Sequence, residues 1–317
     1  MSDLANLPAE ATRSAYGRVL VQLGEEREDI VVLDADLSGS TRTSQFAARF
    51  PERFFNMGIA EQNMMNVAAG LALGGKIPFA STFAIFATGR AWEQIRNSVA
   101  YPQLPVRIVA THAGITVGPD GASHQALEDI ALMRVIPGMT VIVPADAPET
   151  ERAIRAVVDL DGPVYVRLGR AEVPVLSDGG DFVPGRARVL RPGKDVALVA
   201  CGIMVSRALE AAERLESAGV DARVINLSTI KPLDVGVLTA AAEECGAVVT
   251  AEEHSVIGGA GSAVAELLGE VHPVPVLRVG VTDRFGQSGE ADELLEAYGL
   301  TAAAIEEAAL RAVRCKR

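Results

Sequence analysis

In "NMGIAEQNMMNVAAGLALGG" (residues 56–75), Glu61 stands at the mouth of an uncharged, largely apolar run. At the first turn of a helix the macrodipole alone would favour that carboxylate, by about 0.3–1 kcal/mol. A second reading gives it chemistry. Directed into an apolar pocket, Glu61 would hydrogen-bond a bound heteroaromatic ring and share a proton with a ring nitrogen. The other chemistry-bearing stretch is "THAGITVGPDGASHQ" (111–125), which holds two of the four histidines, His112 and His124, with Asp120 between them. A zinc site asks for a fuller ligand set than this. Histidines that satisfy loop hydrogen bonds are the bland alternative. The position beyond a strand end favours substrate contact.

Those groups must be held by elements that the hydrophobic pattern locates. "IVVLDAD" (30–36), "KIPFAST" (76–82), "PVRIVATH" (105–112), "MTVIVPAD" (139–146) and "GPVYVRLG" (162–169) read as strands buried on both faces. Helices fit residues 10–24, 60–74, 85–100, 125–134 and 147–158. After a Pro- and Gly-rich stretch the alternation resumes with strands at 195–202, 221–228, 247–254 and 275–282. Helices fit 204–218, 234–244, 260–269, 290–298 and 301–313. The pattern predicts an α/β chain of two doubly wound domains with mainly parallel sheets, 1–175 and 193–317, joined by a linker at 176–192.

Composition narrows the class. Hydrophobic residues make up 49% of the 317 positions and the net charge is −12, which argues against disorder and against a nucleic-acid footprint. Three scattered cysteines give neither a disulfide framework nor a metal set, and point to a reducing, cytoplasmic setting. No run is long enough to span a membrane, and the first residues lack a signal peptide's basic start and greasy core. "CGIMVSR" and "VIGGAGSA" join strands to helices without forming a dinucleotide fingerprint or P-loop, and no GxSxG elbow occurs.

Three blocks, "GIAEQNMMNVAAGLALGG", "STFAIFATGRAWEQIRNSVA" and "ATHAGITVGPDGASHQALEDIALMRVIPGMTVIVPAD", resemble the pyrimidine-binding domain of transketolases in order and separation. "LSTIKPLD", "AEEHSVIGGAGSAVAELL" and "DRFGQSG" are similar to the family's carboxy-terminal domain. The "GDG…N" segment with which transketolases hold a divalent metal against thiamine diphosphate is missing. "PDGAS" and "SDGGD" lack the downstream Asn. The chain therefore resembles the carboxy-terminal subunit of a split, two-chain transketolase.

That resemblance implies a shared thiamine diphosphate, with Mg2+ or Ca2+ held by a diphosphate-binding N-terminal subunit and no metal ligands here. It assigns Glu61 to the aminopyrimidine and His124 to proton transfer near the donor carbonyl, where Asp120 also binds sugar hydroxyls. Phe83 and Phe86 match the rings that wall the pyrimidine; an arbitrary FxxF would read as core. Gly89 stands where single-chain members often carry Tyr. Arg13, Ser40, His112 and Arg170 match a phosphate-binding group, which favours a phosphorylated ketose as donor of a two-carbon ketol unit to an aldose. The implied assembly is α2β2, with helix faces from 60–74 and 85–100 near the contact. The alternatives are the beta subunit of a 2-oxo acid dehydrogenase, a deoxyxylulose phosphate synthase-like enzyme, and a non-catalytic structural partner subunit.

Overall fold

The computed structural model describes residues 7–176 and 180–316. After strand β1 (Ala9–Ala11) and the helix Thr12–Glu26, the chain forms β2 (Ile30–Asp34), β3 (Phe54–Asn56), β4 (Ile77–Phe83), β5 (Arg107–Thr111), β6 (Thr140–Ile142) and β7 (Val164–Arg167). β8 (Glu172–Pro174) returns to pair antiparallel with β1. The second half supplies β9 (Arg188–Arg191), β10 (Val196–Ala200), β11 (Ala222–Asn226), β12 (Thr229–Lys231), β13 (Val248–Ser255) and β14 (Val276–Val281).

Every residue of β2, β5, β7 and β10 is buried, as parallel strands covered by helices on both faces require. Some helices start where a side chain takes up a free N–H group. Asp146 accepts from Glu149 N at 2.8 Å ahead of Ala147–Val157, and Thr301 accepts from Ala304 N at 3.1 Å ahead of Ala302–Arg314. The 85–100 region departs from a plain α-helix. Two π-helical turns, Phe86–Arg90 and Ile95–Ala100, flank a short α turn at Trp92–Gln94. Trp92 anchors it by donating to the Leu132 carbonyl at 2.9 Å.

The large sheet runs β12-β6-β7-β5-β4-β2-β3 and the smaller one β14-β13-β10-β11-β9. β9 lies inside the 176–192 stretch read as a linker and edges the smaller sheet, antiparallel to β11; residues 177–179 of that stretch fall outside the described residues. β12 follows β11 in the second half, yet it pairs antiparallel with β6 and closes the edge of the first half's sheet. One hydrophobic cluster runs across this junction, joining Leu33, Met64, Ile95 and Ile108 to Val199, Ile225, Leu227 and Ile230. Tyr16, Leu20, Phe46 and Ile154 fill the opposite face of the large sheet. Polar contacts reinforce the junction. Glu149 accepts from Asn226 Nδ2 at 2.9 Å and Ser228 Oγ at 2.6 Å, and Arg167 donates to Asp129 at 2.7 Å and to the Glu253 carbonyl at 2.9 Å. Among the described residues no helix is long and apolar enough to cross a membrane.

Candidate active site

The carboxyl ends of β2, β4 and β5 meet at one rim of the large sheet, the place where open parallel sheets gather ligands. Glu61 is the first residue of the helix Glu61–Leu73, whose N-cap, Ala60, provides no side-chain cap. Its carboxylate is 2% exposed. Oε1 accepts from Arg90 Nη1 at 2.7 Å, while Oε2 is buried without a protein donor. An unpaired buried acceptor costs about 1–3 kcal/mol, so it marks a position prepared for a donor from elsewhere.

Four aromatic rings form a cluster that Arg90 links to Glu61. Phe83, the last residue of β4, lies against His112 with centroids 3.8 Å apart and planes at 18°. Phe86 follows at 5.8 Å from Phe83, nearly parallel. His124 meets the edge of Phe86 at 5.4 Å and takes a hydrogen bond at Nδ1 with Ser123 Oγ at 3.0 Å. Phe83 is buried and Phe86 is partly exposed, with the Arg90 guanidinium 4.6 Å over its ring.

Of the residues that the resemblance assigns to phosphate, Arg13 binds the Ser40 segment and, with Arg170, lies near enough to act on the charge of His112. That residue adopts φ 57°, a left-handed conformation uncommon for a side chain of its size, and pairs Nδ1 with Thr111 Oγ1 at 2.8 Å. Burial pushes its imidazole down to about 3, and Arg13, Arg170, His124 and Arg42 add positive charge in the same direction. Arg13 donates to the Ser40 carbonyl at 2.9 Å. Burial, then Arg42 and Arg170, lowers the Arg13 guanidinium from its ordinary value, and the Nε atoms of Arg13 and Arg42 are buried without acceptors. Arg170 donates to the Val117 carbonyl and stands 3.5 Å from Asp120, linking two residues that the resemblance placed in different roles. The result is a cluster of cations and a neutral imidazole suited to a multiply charged anion.

Sequence reasoning missed several residues that shape this rim. Asp34 ends β2 and gathers Leu37 N, Thr41 Oγ1 and Thr43 Oγ1 at 2.6–2.8 Å, which folds the turn carrying Ser40 and Arg42. The resemblance points to Ser40, but not to Arg42 two residues further on. Glu253, in β13, accepts from Thr116 N at 2.7 Å and so holds the loop that carries Asp120. The same loop is gripped by Gln125, which donates to the Ile115 carbonyl at 3.1 Å and to that of Gln287 at 2.9 Å. Arg90 gave no signal because its partner Glu61 is 29 residues away. Among the described residues no group of three or more His, Cys, Asp or Glu could hold a metal ion.

Comparison with known proteins identifies the family of both halves of the chain. Residues 9–175 fit the model of "Transketolase, pyrimidine binding domain" and residues 185–305 that of "Transketolase, C-terminal domain". A solved "Split gene transketolase, inactive beta4 tetramer" superposes with a TM-score of 0.90 at 57% identity, covering 98% of this chain and all of that one. A relative from Methanocaldococcus jannaschii, named "Putative transketolase C-terminal section", is 52% identical over 91% of this chain and 92% of its own length. A 6-deoxy-6-sulfo-D-fructose transketolase subunit from Clostridium sp. is 46% identical over 94% of this chain and 92% of its own. The chain belongs to the transketolase family and carries that family's pyrimidine-binding and C-terminal domains.

Proposed function

We propose that this chain is the C-terminal subunit of a two-chain, thiamine diphosphate-dependent transketolase, which moves a two-carbon ketol unit from a phosphorylated ketose to an aldose. The observation that carries this reading is Glu61, whose Oε2 is buried without a protein donor while Oε1 is held by the same Arg90 that lies over the Phe86 ring. That acceptor fits a pyrimidine N–H. Glu61, Phe83 and Phe86 would hold the cofactor's aminopyrimidine end. When bound, the cofactor supplies an electron sink for cleaving a ketose carbon–carbon bond.

The chain's own residues do the rest. Glu61 offers Oε2 to the ring nitrogen and keeps water from that position. His124 and Asp120 meet the hydroxyls near the donor carbonyl, with His124 carrying a proton. Arg13, Ser40, His112 and Arg170 bind the substrate's phosphate at the outer end. Arg forks pair two phosphate oxygens at once, and the neutral His112 has one ring N–H to donate to a phosphate oxygen while carrying no charge.

The diphosphate end and its Mg2+ or Ca2+ belong, in this reading, to a separate N-terminal subunit in an α2β2 complex. The description of the related split-gene chain as an inactive β4 tetramer supports a need for that partner and a tendency to self-associate. Exposed Ile59, Leu73 and Tyr101 flank the helices from 61 to 100 and offer apolar contact area. A cytoplasmic setting accords with three free cysteines.

The test is reconstitution of the pair with thiamine diphosphate and a divalent cation. Ketose phosphate plus aldose phosphate should turn over, whereas turnover only with pyruvate and an electron acceptor would sink the proposal. In the same complex Glu61→Ala should lower turnover by about 10²-fold or more. Near-normal turnover would instead favour a structural partner subunit.

A further inference from the structure

We propose that Arg90 is a positioning residue for cofactor binding. It pins one oxygen of Glu61 so that the other is left for the pyrimidine, and its guanidinium covers the Phe86 ring. The inference rests on the thiamine diphosphate reading above.

Two contacts converge on Arg90. Its Nη1 donates to Glu61 Oε1 at 2.7 Å, while Oε2 of the same carboxylate has no protein donor. A carboxylate can rotate about its Cγ–Cδ bond, and a donor fixed on one oxygen removes that freedom while leaving the second lone-pair set available. The same guanidinium lies 4.6 Å over the ring of Phe86, close enough for planar stacking and cation–π attraction. Arg90 therefore joins the carboxylate to the aromatic wall through a single side chain.

The backbone explains why Arg90 can do both. Phe86–Arg90 is a π-helical turn, one residue wider than an α turn, a form that often occurs at functional sites. Thr88 Oγ1 donates to the Ala84 carbonyl at 2.8 Å within it. A Cβ built at Gly89 would find only Ile85 Cδ1, at 3.9 Å. Packing therefore does not demand glycine there. Arg90 itself is 48% exposed, so it contributes little to the core, whereas its partner Glu61 is 2% exposed and depends on it for a donor.

The experiment compares cofactor binding and cofactor state in the assembled two-chain complex for wild type, Arg90→Met, Arg90→Lys, Glu61→Gln and the Glu61→Gln/Arg90→Met double variant. Thiamine diphosphate affinity is measured by calorimetry, and the amino and imino forms of the bound pyrimidine by near-ultraviolet circular dichroism at one pH. Arg90→Met should weaken cofactor binding by about tenfold and change the ratio of the two forms, with KM for the sugar at saturating cofactor changing less than about twofold. Arg90→Lys should recover part of both, since it keeps the charge without the fork. Adding Arg90→Met to Glu61→Gln should cost far less than it does alone, because the group it positions is already altered.

Unchanged affinity and an unchanged ratio in Arg90→Met, with wild type binding normally, would overturn the assignment of Arg90 alone. So would full additivity in the double variant. Wild-type complex that fails to bind thiamine diphosphate would overturn both this inference and the proposed function.

Discussion

Had Glu61 been only a helix-start carboxylate, both oxygens would meet water or backbone donors. Instead one is held by Arg90 and the other is buried with none. His112 shows a similar division between type and circumstance. Its presence in a strand-end loop was legible in the sequence, but its neutrality follows from burial and from cations on three separate segments. That neutrality makes a prediction. In the unfolded chain the imidazole protonates near 6.5 and in the folded chain only near 3, so between those values the unfolded chain binds more protons. The contribution is fully present above about pH 6.5 and declines below it by up to about 1.4 kcal/mol per pH unit. Denaturant titrations from pH 7 to 5 should show a smaller loss of stability for His112→Asn than for wild type, and inorganic phosphate should reduce the wild-type loss. Parallel slopes for the two proteins would contradict this.

At the scale of elements, the strongly patterned segments were readable and the short or long-range ones were not. "IVVLD" and "VYVR" announced themselves because buried parallel strands leave no polar alternation. β12 is only "TIK", too short to carry a period, and β3 and β9 are partly exposed edge strands. The 111–125 loop was visible as a site, but its support from the other half of the chain was not. Thr116 and Glu253 are 137 residues apart. A Cβ at Gly114, which has φ 81°, would lie 2.2 Å from the Glu253 carboxyl carbon. Gly114→Ala should therefore cost about 1–3 kcal/mol and raise KM for the sugar, with thiamine diphosphate affinity little changed. Adding Glu253→Ala should recover part of the stability by removing the clash. Thermal melts and steady-state kinetics of the single and double variants decide it, and a double variant no better than the sum of its parts would exclude the contact as the cause.

At the scale of the whole molecule, the two α/β halves foreseen from the alternation are present, but they are not separable as drawn along the chain. The linker reading ended at 192, whereas β9 already belongs to the smaller sheet, and β12 crosses back to the larger one. The shared cluster around Ile95, Ile225 and Ile230 has no separate domain to fill. Scanning calorimetry of the intact chain should accordingly give one endotherm with calorimetric and van't Hoff enthalpies in agreement. Two resolved transitions would show that the junction is weaker than its contacts imply.

The crossing of β12 also bears on how relatives can be recombined. A chimera spliced at the apparent linker would bring in Thr229–Lys231 from the donor and set it against β6 of the recipient, so a foreign edge strand would enter a sheet that was meant to stay untouched. Lys231 would come with it, and its ammonium donates to the carbonyls of Arg134 and Ile136 at 2.8 and 2.6 Å. A crossover that transplants only the smaller sheet must keep this short return segment with the recipient, at the expense of two splice points in place of one.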